Sequence, residues 1–299
     1  MTSRIEWTDE TWNPVTGCTK ISAGCANCYA ERMARRLAGR YGYPEAPHHF
    51  DVTLHEDKLE LPLKWKKPRK IFVCSMSDPY HPDVPASYIV NIYEVMSAAK
   101  QHIFIVLTKR PERIIPVLYG EEGKWYLGGG DYLPNIWHLV TTETQEMADK
   151  RIPELLKLEQ HGWPVLGVSA EPLLEPLYIR RYLYQAYELC DCGNELPIDG
   201  RVPLDWVICG GESGPNARLM KIEYARSLRD QCAAVGIPFF FKQHGMYLHT
   251  SQLIRGVHFG EHEPRPAGND YVKCTSKYAA GDLLDGKIHH EYPVAGPPA

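Results

Sequence analysis

His102-Ile103-Phe104-Ile105-Val106-Leu107-Thr108-Lys109-Arg110 is an apolar run of strand length, rich in β-branched residues, that ends directly in a hydroxyl and two cations. The same beat occurs at Lys70-Ile71-Phe72-Val73-Cys74 before Ser75-Met76-Ser77-Asp78, and at Ile136-Trp137-His138-Leu139-Val140 before Thr141-Thr142-Glu143. It returns at Val165-Leu166-Gly167-Val168 before Ser169-Ala170-Glu171, at Trp206-Val207-Ile208-Cys209 before Gly210-Gly211-Glu212, and at Pro238-Phe239-Phe240-Phe241 before Lys242-Gln243. Helical text lies between the runs, at residues 88–99, 146–156 and 222–232. Near-continuous apolar strands alternating with helices form a parallel sheet buried on both faces, and such sheets work at their strand C-termini. The expected fold is therefore α/β, a full or partial TIM-type (βα) barrel over residues 1–245. The polar strand ends should share one rim and one cavity. A weakly periodic segment at 246–299 is expected to wrap the barrel or cap it. Residues 51–55 read as a further short strand.

Two insertions interrupt the beat. Residues 120–134 carry Gly128-Gly129-Gly130 with Trp125, Tyr126 and Tyr132, which reads as a loop near the rim. Residues 177–203 carry Cys190-Asp191-Cys192, where a pair in C-x-C spacing is weak evidence for a metal and a plain loop is the simpler reading.

At 299 residues with 44% hydrophobic content, the chain can bury a sizeable core. No apolar run approaches the ~20 residues needed to span a bilayer, and Met1-Thr2-Ser3-Arg4-Ile5-Glu6 lacks a signal peptide's apolar segment, so a cytoplasmic location is expected. Nine cysteines without a secretion signal point to thiols and ligands rather than a disulfide framework. A net charge of −4 gives no overall bias toward nucleic acid. Two local basic patches stand out, at residues 64–70 around Trp65 and at Arg32, Arg35, Arg36 and Arg40, and a solvated surface explains either as well as a nucleic-acid track does. The histidines, among them His244, His249, His258, His262, His289 and His290, show no metal-ligand spacing.

Ahead of the first beat stands Trp12-Asn13-Pro14-Val15-Thr16-Gly17-Cys18-Thr19-Lys20-Ile21-Ser22-Ala23-Gly24-Cys25-Ala26-Asn27-Cys28-Tyr29-Ala30-Glu31. Cys18, Cys25 and Cys28 are spaced C-x6-C-x2-C, with glycines before the first two. Soft thiolates suit zinc or an iron-sulfur cluster, and no fourth ligand lies nearby. A structural zinc site needs that fourth ligand, whereas a cubane on three thiolates keeps one iron open; unliganded thiols are the third reading. Gly17 and Gly24 let the loop bring its amides close to such a group. The other cysteines in strand or helix text, Cys74, Cys209 and Cys232, read as small core residues, and Cys274 has no ligand-spaced neighbour.

The N-P-x-x-G-C stretch leading into C-x2-C-Y-A resembles the cluster loop of radical S-adenosylmethionine (SAM) enzymes, above all the spore photoproduct lyase-like branch. That branch uses C-x3-C-x2-C, so this loop carries three extra residues between Cys18 and Cys25. More of the chain resembles the phage Gp37/Gp68 family of three-cysteine, radical SAM-type proteins. The matching stretches are Ser75-Met76-Ser77-Asp78, Leu107-Thr108-Lys109-Arg110-Pro111-Glu112-Arg113, Ser169-Ala170-Glu171-Pro172-Leu173-Leu174, Trp206-Val207-Ile208-Cys209-Gly210-Gly211-Glu212-Ser213-Gly214, Phe240-Phe241-Lys242-Gln243 and Ala280-Gly281-Asp282-Leu283-Leu284-Asp285-Gly286.

The resemblance implies a 4Fe-4S cluster on Cys18, Cys25 and Cys28, an open iron chelated by SAM, and an external electron donor. It also implies a 5′-deoxyadenosyl radical that attacks a substrate, with nucleic acid or a nucleotide as the first expectation. Gly210-Gly211-Glu212 resembles the element that holds the methionine amino group, but in the usual arrangement that element follows the second barrel strand, where this chain has Ser75-Met76-Ser77-Asp78. The expected roles are therefore split: Ser75 and Asp78 receive the amino group, and Glu212 contacts the ribose or the substrate from across the cavity. Tyr29, directly after the last cysteine, is expected to contact adenine. Lys109, Arg110, Glu143, Glu171, Lys242 and Gln243 each follow a strand; Lys109, Glu143, Glu171 and Lys242 are the catalytic candidates. The rival reading is an accessory protein that binds nucleic acid or a partner and keeps a structural cluster or zinc.

Overall fold

The computed structural model describes residues 5–120, 133–183, 187–189, 195–197, 204–253, 265–267 and 270–294. The glycine-rich insertion at 121–132, Cys190, Cys192, His258 and His262 lie outside the described residues. The chain divides into two compact units, residues 1–140, 157–166 and 294–299 in the first, and 141–156 with 167–293 in the second.

Four parallel strands build the first unit: β1 (Glu10–Trp12), β2 (Lys70–Val73), β3 (Ile103–Thr108) and β4 (Ile136–Thr141). They pair in sequence order, with Trp12 opposite Val73, Val73 opposite Val106 and Val106 opposite His138. Every residue of β4 is buried, as a parallel sheet covered on both faces requires. Helices α1 (Tyr29–Leu37), α2 (Ala86–Ala98) and α3 (Ile114–Tyr119) fill the connections. The expected short strand at 51–55 forms at Thr53–Leu54. Thr53–Leu54 pairs antiparallel with Val15–Thr16 and so braces the segment entering the cysteine loop rather than joining the main ladder.

In the second unit, α4 (Gln145–Leu156) precedes three parallel strands, β5 (Leu166–Ala170), β6 (Trp206–Gly210) and β7 (Phe239–Gln243). β6 is central and pairs with β5 and with β7, while α5 (Ile222–Ala233) packs on β6 and β7. Trp206, Phe239, Phe240 and Phe241 are all buried, and each such side chain contributes about 1.5–3 kcal/mol by leaving water. The outer edge of β7 is covered by the end of the chain: Phe241 N donates to His289 O at 2.7 Å, and Phe240 bridges antiparallel to His290. Covering an edge removes a template for unwanted pairing. Residues 246–294 therefore include a wrapping segment, with a small antiparallel sheet of Tyr247–His249, Arg265–Pro266 and Tyr271–Lys273.

The fold class is α/β, of the partial TIM-type (βα) kind. All six apolar runs are strands, and all are parallel. β1 is the strand that periodicity does not reveal, since three residues carry no readable period. No helix among the described residues is long and apolar enough to cross a membrane.

One buried polar chain crosses the core of the first unit. Tyr80 and Tyr93 share a hydrogen bond of 2.6 Å between their hydroxyls, and Tyr93 meets His138 Nε2 at 2.7 Å. His138 packs edge-on against Trp163 at 4.4 Å, and burial pushes its pKa down to about 3.

Candidate functional site

The cysteine loop begins where β1 ends. Gly17 has φ +84°, and a Cβ there would lie 2.1 Å from Asp51 O, so both the backbone angle and the space demand glycine. Its amide donates to Met76 O at 3.1 Å, and its carbonyl accepts from Ser77 Oγ at 2.5 Å, which ties the loop to the residues after β2. Gly24 adopts no left-handed conformation; it lies in the short 3-10 turn Ala23–Cys25. Cys28 is the N-cap of α1. Loop, turn and helix start thus present Cys18, Cys25 and Cys28 in succession, each half-buried and none in a disulfide.

The three thiols differ in their surroundings. Burial opposes ionisation of Cys25, but the charge of Lys109 and hydrogen bonds from the Ile21 and Ser22 amides hold its pKa below the usual thiol range. Burial and the charge of Asp78 push Cys18 up, although Arg110 works in the opposite direction. Arg110 Nη1 donates to Cys18 Sγ at 3.6 Å and to Asp78 Oδ2 at 3.0 Å.

Asp78 is the hub of this arrangement. Its Oδ1 accepts from the Tyr80 amide at 3.0 Å and from Thr108 Oγ1 at 2.7 Å, and its Oδ2 also accepts from the Lys109 amide at 3.0 Å. Ser75 Oγ donates to Asn13 Oδ1 at 3.2 Å, and the Met76 amide donates to the same oxygen at 3.0 Å. The first unit therefore gathers Cys18, Ser75, Asp78, Lys109 and Arg110 around the loop. Tyr29 starts α1 with 56% of its surface exposed and Arg32 5.8 Å from its ring centroid. It does not pack into the core, and its ring is accessible to a ligand.

The donor set fits the cluster the sequence implies: three soft, half-buried thiols on one loop, one with a lowered pKa and one receiving a guanidinium hydrogen bond. Among the described residues no three His, Cys, Asp or Glu side chains gather for a single metal ion. A cubane takes its thiolates at separate corners, so it does not require them to meet at one point.

In the second unit, Glu143 is fully buried, with Arg151 Nη1 donating to Oε2 at 2.8 Å. Glu171, just past β5, receives Lys242 Nζ at 2.7 and 2.9 Å. A Cβ on Gly210 would lie 3.3 Å from Glu171 Cδ and 3.4 Å from Lys242 Cβ, so this glycine makes room for the pair. At Gly211 an added Cβ would lie 2.2 Å from His244 O, which fixes glycine for close backbone approach. Gln243 Nε2 donates to Gly211 O at 2.7 Å. Glu212 is held by Arg218 through Nε at 2.9 Å, Nη2 at 2.6 Å and the backbone amide at 2.8 Å.

Sequence reasoning singles out one member of several of these pairs and misses the other. Arg151 and Arg218 lie inside a helix and a loop with no motif to mark them, and Thr19 and His81 read as ordinary polar residues. Asn13 carries a signal, the Asn-Pro before the glycine-cysteine pair, but the sequence alone attaches no role to it.

No curated protein matches the chain. Among solved structures it is similar to spore photoproduct lyase complexed with dinucleoside spore photoproduct, at 9% identity over 92% of this chain and 70% of the other, with a TM-score of 0.46. A mutant form of spore photoproduct lyase is similar at 10% identity, with the same coverages and a TM-score of 0.44. The phage Gp37/Gp68 resemblance has no counterpart here, because the matching family carries another description. Residues 2–293 match that family along nearly their whole length, and the chain belongs to the family described as "Protein of unknown function (DUF5131)".

Proposed function

We propose that this chain is a radical SAM-type iron-sulfur enzyme acting on a nucleic acid or nucleotide. The observation that carries the reading is the Cys18-x6-Cys25-x2-Cys28 loop, which leaves the C-terminal end of a parallel strand with three half-buried thiols and a guanidinium on one of them. Cys18, Cys25 and Cys28 would hold the cluster. Bound there, a 4Fe-4S cluster together with SAM would supply radical chemistry for hydrogen abstraction.

The chain's own residues bind, orient and exclude water. Exposed Tyr29 offers a face for adenine, and Ser75 offers its hydroxyl oxygen toward an ammonium, which is costly to bury without a partner, whereas the Asp78 oxygens are already taken by Arg110, Tyr80, Thr108 and Lys109. Gly210, Gly211 and Glu212 are the second unit's candidates for binding ribose or substrate. Lys109 is the substrate-contacting candidate of the first unit, and the Lys242–Glu171 pair that of the second; the pair can hold a proton at Nζ or pass it to the carboxylate 2.7 Å away. Glu143, fully buried on Arg151, is a structural ion pair of the second unit rather than a substrate contact. Residues 1–245 form the catalytic part, and 246–299 its extension.

Anaerobic reconstitution tests the reading. Stoichiometric iron and sulfide, followed by 5′-deoxyadenosine formed from SAM under reduction, are the expected results. A stable cluster that never cleaves SAM would assign the protein to a non-catalytic, partner-binding role instead.

A further inference from the structure

Thr19 opens the lengthened segment between Cys18 and Cys25, and it is fastened more firmly than an exposed loop residue needs. Arg110 Nη2 donates to its carbonyl and to its hydroxyl, each at 3.2 Å. The hydroxyl also meets His81 Nε2 at 2.8 Å. His81 Nδ1 accepts from the Asp83 amide at 3.1 Å, so in the neutral ring Nε2 carries the proton and donates to Thr19. The other guanidinium nitrogen of Arg110 spans Asp78 Oδ2 and Cys18 Sγ. Arg113 braces the same turn through Tyr80 O at 2.7 Å. Arg110 is 4% exposed, so its charge sits in a poorly solvated place, held by a carboxylate on one side and facing a thiol on the other.

We propose that Arg110, anchored by Asp78 and Thr19, is the positioning residue of the cluster loop: it fixes Cys18 and holds a positive charge against that ligand, raising the cluster's reduction potential. The proposal rests on the reading that the loop holds a cluster. Reduction adds a negative charge, and a guanidinium donating to a ligand sulfur stabilises the reduced form more than the oxidised one. Asp78 is saturated by hydrogen bonds from Tyr80, Thr108 and Lys109, so the pair's orientation is set from the strand ends rather than by the loop itself. The extra loop residues then have a task, since Thr19 supplies two of the four acceptors described for the Arg110 guanidinium.

Wild type, Arg110→Met, Arg110→Lys and Thr19→Val are reconstituted anaerobically. Each is measured for iron per chain, rate of iron loss to a chelator, midpoint potential by spectroscopic redox titration, and unfolding temperature without metal. Arg110→Met is expected to lower the potential and to speed iron loss by about 10–100-fold. Arg110→Lys keeps the charge and recovers most of the potential while still losing iron quickly. Thr19→Val leaves the Asp78–Arg110 pair intact, so it is expected to unfold like wild type and yet lose iron faster; it decides the matter if Arg110→Met does not fold. Wild-type potential and wild-type iron loss in Thr19→Val and in any Arg110 variant that folds would overturn the proposal alone. A wild-type protein that takes up no iron would overturn the cluster reading and this proposal with it.

Discussion

Lys242 Nζ lies 2.7 Å from Glu171 Oε1 and 2.9 Å from Oε2, joining the last strand of the second unit to the residue that follows its first. Both side chains are mostly buried but not sealed, at 11% and 21% exposure, so the pair is neither a solvated surface bridge nor a closed structural one. A Lys242→Met change is expected to abolish turnover of the natural substrate while SAM cleavage in its absence continues. Measuring 5′-deoxyadenosine with and without substrate checks this; equal loss of both activities would assign the pair to folding.

Single Cys18→Ala, Cys25→Ala and Cys28→Ala proteins are expected to lose the cluster, because two thiolates hold a cubane poorly. Cys232→Ala, in a fully buried helix position, is expected to keep it. Iron and sulfide analysis after reconstitution reads the outcome. Full iron content in all three loop variants would sink the ligand assignment.

Asp78→Ala is expected to destabilise the fold by about 3–5 kcal/mol, since it strips a buried carboxylate from buried Arg110 and leaves a charge without its partner. Denaturant unfolding of the metal-free protein measures it. A loss below about 1 kcal/mol would mean that solvent reaches the pair.

Tyr29→Ala is expected to weaken SAM binding about fivefold, the worth of one aromatic contact, with iron content and unfolding temperature unchanged because the ring is exposed. Calorimetry on the reconstituted protein decides. Unaltered affinity would remove Tyr29 from the SAM site.

Stability is expected to fall as the medium is acidified below pH ~6.5. His138 is held down to about 3 by burial, so between those values the unfolded chain takes up a proton that the folded one refuses. The slope from this one group approaches about 1.4 kcal/mol per pH unit. Hydrogen bonds from Arg226 hold Asp285 well below the usual carboxylate range; its contribution is present at neutral pH and is lost at the acid end of the same scan. Urea titrations at stepped pH are expected to show a shallower decline for His138→Phe than for wild type between pH ~6.5 and ~4. Parallel curves would rule out His138 as the source.

What the sequence determined by itself was whatever is written locally. Six apolar runs set six parallel strands, because a strand buried on both faces needs continuous apolar text, and the three cysteines declared themselves through spacing within one loop. Gly17, read as a residue of special conformation, does adopt φ +84°. Tertiary structure alone decided the partners. Arg110 reaches Cys18 across 92 positions of sequence, and Arg151 claims Glu143 from the next helix. Strand β1 became a strand because β2 offered it a ladder, although its three residues carry no period. Periodicity records which face a segment buries, whereas an ion pair depends on where two segments meet, and that is fixed only when the whole chain has packed.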